Sequence, residues 1–197
     1  MIESLSREEH LDEPSLIQRA AQGEPAAWEP LMLAHQQPVF RFAYLLLGDP
    51  DDAEDITQET FLRAYDHLRR FDTTRPLRPW LLSITANLSR NRRRSAGRYL
   101  NAISRAFRLE PQTSPNVEER SELDQDSHQL WKAVRRLSTD DQQVVYLRFF
   151  LDLSVAEAAQ ALDVAEGTVK SRLNRALGRL RAIIKTDFPM LSEGHEV

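Results

Sequence analysis

Residues 154–181, SVAEAAQALDVAEGTVKSRLNRALGRLR, constrain the fold more than any other stretch of the chain. Ser154 and Glu157 form an S-x-x-E capping box, which predicts a helix starting at Ser154. Ala158, Ala159, Ala161 and Leu162 give that helix a small-residue face suited to close packing. Asp163 follows, and a short polar residue tolerates the left-handed backbone that ends helices. A second helix is predicted to start between Ala165 and Gly167. Along it Val169, Leu173, Ala176, Leu177, Leu180, Ile183 and Ile184 share one arc, with Lys170, Ser171, Asn174, Arg175 and Arg181 opposite. A capped helix, a tight turn and a second helix with a basic outer face form the layout that sets a helix in a DNA major groove. Long cations suit phosphate or guanine there, and the Asn174 amide suits adenine. Gly178 sits within the second helix at a propensity cost of about 1 kcal/mol against alanine. A close approach to another backbone is one account of it.

A chain of 197 residues suits one domain of moderate size or two small ones. It has no cysteine, hence no disulfide framework and no thiolate metal site. His10, His35, His67, His128 and His195 are scattered without metal-ligand spacing. There is no glycine-rich phosphate loop and no nucleophile arrangement, so no cofactor, no metal and no catalysis are expected. The longest apolar runs, such as Phe42 to Leu47, are too short to span a membrane. The acidic N-terminus MIESLSREEH lacks the charge pattern of a signal peptide. A cytoplasmic protein is expected. Few glycines and little strand-like alternation predict an all-α fold.

The net charge of −4 looks wrong for a nucleic-acid binder until its distribution is read. Between Arg69 and Arg108 eleven arginines face a single acid, Asp72. Between Leu109 and Leu130 six acids face a single arginine, Arg120. Charges are screened over about 8 Å in physiological salt, so local patches decide contacts. The same alternation divides the chain into a helical block over 14–98, an acidic linker over 99–129 rich in Pro and Ser, and a second block over 130–188.

In the first block, Pro25 to Leu47 predicts two helices with Pro38 near their boundary. Gly48 ends a helix, Asp49 caps the next, and Pro50 occupies its first turn. On that helix Ala53, Ile56, Thr60, Phe61, Ala64 and Leu68 lie inside. Asp55, Gln58, Glu59, Leu62 and Asp66 lie outside, an acidic face with one apolar residue that suits either protein docking or plain solvation. After the loop RRFDTTRPLR, a helix is predicted from Pro79 to Arg94. Trp80, Leu81, Ile84 and Leu88 lie inside it, and Ser83, Asn87, Arg90 and Arg94 share a polar face flanked by Asn91 and Arg93. Cations with Asn and Ser beside an aromatic suit a nucleic-acid strand. The helix dipole alone explains Arg92 to Arg94 but not Arg69, Arg70, Arg75 and Arg78 upstream.

Three runs, GDPDDAEDITQETFLRAYDHLRRFD, RPWLLSITANLSRNRRR and LSTDDQQVVYLRFFLDLSVAEAAQALDVAEGTVKSRLNRALGRLR, in this order and spacing, resemble an extracytoplasmic-function (ECF, group 4) sigma factor of the sigma-70 family. The resemblance covers about Pro14 to Ile184 apart from the linker. It implies a region 2 that docks on core RNA polymerase through the clamp helices of the largest subunit, by Asp55, Gln58, Glu59 and Leu62. It implies that the same region reads the −10 element through Phe71, Arg75, Arg78, Trp80, Asn87, Arg90, Asn91 and Arg94. It implies a region 4 that meets the polymerase flap and reads the −35 element through Thr168, Lys170, Ser171, Arg172, Asn174 and Arg175. Arg172 lies toward the helix flank, where phosphate contact suits it better than base contact. Promoter DNA and, in many relatives, an anti-sigma factor that is often membrane-bound complete the implied partners. The sequence departs from the family pattern at Asp163, where glycine is frequent, and at Ala165, near which proline is frequent. A free-standing helix-turn-helix regulator that binds an operator without polymerase is the other class the motif allows; the second basic site speaks against it.

Overall fold

The computed structural model describes residues 13–107, 122–189 and 191. Among them the chain is all helix and turn. The elements are α1 (Glu13–Ala21), α2 (Pro25–Leu47), α3 (Pro50–His67), α4 (Leu77–Phe107), α5 (Glu122–Arg135), α6 (Thr139–Val145), α7 (Val155–Leu162) and α8 (Glu166–Asp187). A 3₁₀ turn, Leu68–Arg70, follows α3, and a π-helical segment, Tyr146–Phe150, follows α6.

In the N-terminal domain α1 to α4 pack together, with α2 at the centre. The predicted boundary at Pro38 is corrected: α2 runs unbroken from Pro25 to Leu47 with Pro30 and Pro38 inside it. An interior proline costs a helix about 3 kcal/mol. Here His35, Val39 and Phe42 on both sides of Pro38 are buried in one core, and breaking the helix would expose one side or the other. The end of α2 follows expectation. Gly48 adopts φ 78°, its N–H donates to the Tyr44 carbonyl at 2.8 Å, and Asp49 Oδ1 accepts from Asp52 N at 2.9 Å. The inner arc of α3, Ala53 to Leu68, is buried as its spacing predicts.

Helix α4 extends past the predicted end at Arg94 to Phe107. It is buried on more than one side: Leu82, Ala86 and Ser89 are covered as well as Leu81 and Leu88. The second cover is the C-terminal domain, α5 to α8, whose α7 packs on α4. One set of buried side chains, including Leu82, Ala86, Val145 and Ala161, runs through both domains. The expected acidic linker falls largely on residues 108–121, outside the described residues. The described flanks are helical, since α4 ends at Phe107 and α5 begins at Glu122.

Candidate nucleic-acid and protein interfaces

The turn unit forms as its sequence dictates. Ser154 Oγ accepts from Glu157 N at 3.1 Å, and Glu157 Oε2 accepts from Ser154 N at 2.7 Å. The Ser154 backbone N–H, followed by the Ser154 hydroxyl, holds the Glu157 carboxyl below the usual carboxylate range. Asp163 ends α7 at φ 52° and ψ 50°, in the left-handed region. Val169 and Ala176 of α8 are buried, so the opposite face looks outward. Lys170, Ser171, Asn174 and Arg175 are exposed on it. Ser171 Oγ donates to the Thr168 carbonyl at 3.1 Å, and Arg175 Nε donates to the Ser171 carbonyl at 3.3 Å. Thr168 and Arg172 are half-buried, and Arg172 Nη1 lies 3.8 Å from Asp140 Oδ2. The cationic guanidinium therefore sits at the flank of the outward face. Among the described residues nothing lies within 4 Å of a Cβ added at Gly178, so none of them makes the suggested close backbone approach.

The second cluster lies at the start of α4. Asp72 Oδ1 accepts from both Thr74 N and Thr74 Oγ1, which lowers the Asp72 pKa and pins the loop. Phe71 packs on Trp80, with ring centroids 4.6 Å apart. Arg75, Trp80, Ser83, Asn87 and Arg90 line a cleft of about 360 Å³. Its far wall is Gln160 to Asp163 of the other domain. Arg78 Nη2 donates to the Leu151 carbonyl at 2.6 Å. Asn91 does not join this cleft; it borders a separate depression with Asp55, Leu62 and Arg92. Arg94 is exposed and lies outside the cleft lining.

The third surface belongs to α3. Leu62 is 62 % exposed, as its place outside the inner arc of α3 predicts. It borders an apolar groove of about 480 Å³ formed with Trp28, Met32, Phe61 and Tyr65. Trp28 anchors the groove, its ring 5.5 Å from Tyr65 and 6.1 Å from Phe61. Sequence reasoning missed Trp28, Met32 and Tyr65. The signal was the i, i+4 pair Trp28/Met32 beside the inner pair Ala27/Leu31, and Tyr65 one turn from Leu62. Beside the groove, Arg92 bridges Asp52 and Asp55, the latter at 3.2 Å. Glu59 pairs with Arg63 at 2.6 Å. Gln58 stands between the groove and the depression, lining both.

Two family matches cover these surfaces. Residues 31–99 match Sigma-70 region 2, and residues 127–180 match Sigma-70 region 4. The chain is also 35% identical over 171 residues to the ECF RNA polymerase sigma factor SigL of Mycobacterium tuberculosis, covering 86% of this chain and 95% of that protein. This chain belongs to the ECF sigma factors. Among solved structures, the ECF sigma factor fold here is similar to CnrH in complex with the cytosolic domain of CnrY, with 25% identity and a TM-score of 0.66. That alignment covers 89% of this chain and 98% of that one. It is also similar to the sigma factor RpoE of Bartonella quintana in complex with the anti-sigma factor NepR, with 29% identity and a TM-score of 0.62 over 81% of this chain and 97% of that one. The region 2 match takes in the α3 face and the α4 cleft, and the region 4 match takes in the whole outward face of α8 up to Arg175. No helix among the described residues is long and apolar enough to cross a membrane.

Proposed function

We propose that this chain binds core RNA polymerase and directs it to promoters by reading two DNA elements, one with each domain. The observation that supports this best is the outward face of α8, where Lys170, Ser171, Asn174 and Arg175 stand exposed behind a fully capped α7. In this reading α8 enters the major groove at the −35 element, with Arg172 and Thr168 on the flanking phosphates. The cleft of Arg75, Trp80, Asn87 and Arg90, with Arg78 and the Phe71 ring beside it, takes the opened −10 strand, where stacking and phosphate pairing act together. Asn91 and Arg94 lie farther along α4 and meet the backbone beyond it.

Leu62 and the Trp28 groove dock the polymerase clamp helices, with Gln58 at the rim and Asp55 and Glu59 giving up their internal cations to polymerase ones. Region 4 meets the flap. The chain itself catalyses nothing: the polymerase makes RNA, and this protein positions it in the cytoplasm. Since the similar sigma factor RpoE is in complex with the anti-sigma factor NepR, a partner of that kind, at the membrane or not, is proposed for this chain too. Transcription in vitro with purified core polymerase and a promoter pool tests the reading. Initiation at defined sites only when the chain is present is expected. Tight duplex binding without polymerase, and no initiation, would instead mark a free-standing regulator.

A further inference from the structure

Three exposed charges of the N-terminal domain have no part in the surfaces described so far: Asp66 near the end of α3, and Arg69 and Arg70 on the 3₁₀ turn that follows it. Asp66 and Arg69 line a depression of about 270 Å³ together with Tyr65, Ala20 and Gly23. The chain passes this depression at Gly23 in the left-handed region, at φ 92°, and a Cβ added there would stand 3.5 Å from Arg69 Nη2. A larger side chain at that point would press on the guanidinium and narrow the space. Among the described residues, Asp66 and Arg69 form no ion pair with each other or with a third group. Tyr65 is 40 % exposed, and its ring is held 5.5 Å from that of Trp28. An acid, a cation and a fixed aromatic ring thus border one small depression, and the two charges stay apart. We propose that this depression binds a guanine base.

Opposite charges three residues apart on a helical turn are neighbours that can pair. Held apart, they suit a neutral ligand with donors on one edge and acceptors on another. Among the bases, guanine has that pattern. Its N1–H and N2 amine are adjacent donors for the two Asp66 carboxylate oxygens, and its O6 and N7 are adjacent acceptors for the Arg69 fork. Adenine and cytosine set an acceptor beside the donor on the edge that would face Asp66. Thymine and uracil set two carbonyls around a single N–H. Each of these brings a lone pair against the carboxylate. Unstacked bases are held by edge bonds together with an aromatic face, and Tyr65 supplies the face. The volume falls just below the range of about 300–1,000 Å³ that takes drug-sized ligands, so the depression suits a single base. Arg70 is exposed beside Arg69 and is available to the phosphate that the base carries. A free nucleotide and a nucleic-acid strand present the same edges, so the two sources share this chemistry.

The full-length chain is titrated by calorimetry with GMP, IMP and AMP. A parallel series follows anisotropy with labelled oligothymidylate strands that carry a single central dG or dA. GMP, or the dG strand, is expected to bind at least about tenfold more tightly than its adenine counterpart, with IMP, which lacks the N2 amine, weaker than GMP. Asp66→Asn keeps the side-chain shape but turns one donor and one acceptor toward the base, the pattern that matches adenine, so it should reverse the guanine preference. Arg69→Met should weaken guanine binding at least about tenfold without reversing the order. Asp66 and Arg69 are exposed, so both variants should melt with the parent, and a reversed preference is a result that no loss of folding produces. Discrimination between GMP and AMP identifies a free nucleotide as the source; discrimination confined to the strands identifies nucleic acid. Absence of guanine preference in both series overturns the proposal, and so does a preference that Asp66→Asn leaves unchanged. Neither polymerase nor promoter enters the measurement, so its outcome is independent of the function proposed for the two domains.

Discussion

Arg179 of α8 pairs with Asp141 of α6, and the two are buried very unequally: the acid side chain is 4 % exposed and the arginine 56 %. This basic residue of α8 therefore serves the fold, neutralising a buried acid. Asp141 also donates its N–H to Ser138 Oγ at 3.3 Å at the start of α6. Replacing Arg179 by methionine strands a buried carboxylate, and a destabilisation of about 1–3 kcal/mol is expected in urea unfolding. Changing Asp141 to leucine as well should recover most of it, because the pair is coupled.

Gly178→Ala should stabilise the C-terminal domain by up to about 1 kcal/mol, since a Cβ there meets open space and alanine is the better helix former. Thermal unfolding checks it. A destabilised variant would mean that the glycine answers a contact this chain makes only with a partner.

Leu62→Asp should leave the fold intact, because the side chain is exposed, and weaken core polymerase binding by at least tenfold, or about 1.4 kcal/mol. Trp28→Ala is the harsher companion: it empties the groove and also removes two aromatic contacts, so a drop in stability accompanies the weaker binding. Polymerase pull-down titration with melting curves separates the two effects.

Asn174→Ala and Arg175→Ala should each relax selection at the upstream element, by about 1–3 kcal/mol for a bidentate bond to a base edge. Asn87→Ala should act at the downstream element only. Promoter-library transcription reads both. Uniform weakening across all sequences would reassign these residues to phosphate binding.

His35 is nearly buried between α1 and α2, with its Nε2 3.2 Å from Glu13 Oε2. Burial lowers its pKa below 6.5, with Glu13 opposing more weakly. The unfolded chain therefore binds its proton more readily, so the stability tied to this group is present above pH 6.5 and is lost as pH falls through the lowered folded-state value. Melting temperature should decline as the buffer moves from neutral toward about pH 5.5, and His35→Gln should flatten that decline.

Local signals were legible where one segment contains its own explanation. Ser154 and Glu157 cap each other, Asp163 takes the left-handed turn, and Gly48, Asp49 and Pro50 stop one helix and start the next. The α3 arc is a plain helical period. The limits of sequence reasoning follow from distance along the chain. Nothing near Leu82, Ala86 and Ser89 announces that α7 will cover them, because the covering residues lie in the other domain. Pro38 argues for a break that core burial on either side prevents. Asn91 shares a sequence neighbourhood with Arg90, yet α4 turns it toward Leu62 and away from the cleft. Half of the groove shows in the sequence: Leu62 stands out on α3, but Trp28 and Met32 come from a different helix.

The π-helical segment at Tyr146–Phe150 has a consequence for how this protein can vary. Its closing bond runs from Leu151 N to the Tyr146 carbonyl at 3.0 Å, one residue wider than an α-turn. The surplus residue sets the phase of everything downstream: Phe149 points to solvent, Leu151 presents its carbonyl to Arg78, and α7 starts at the angle that α4 receives. Removing one residue here would restore a regular helix and turn the following chain by about 100°. Length at this point is therefore under tighter control than identity, and relatives that keep the domain pairing should tolerate substitutions in the segment far better than a deletion.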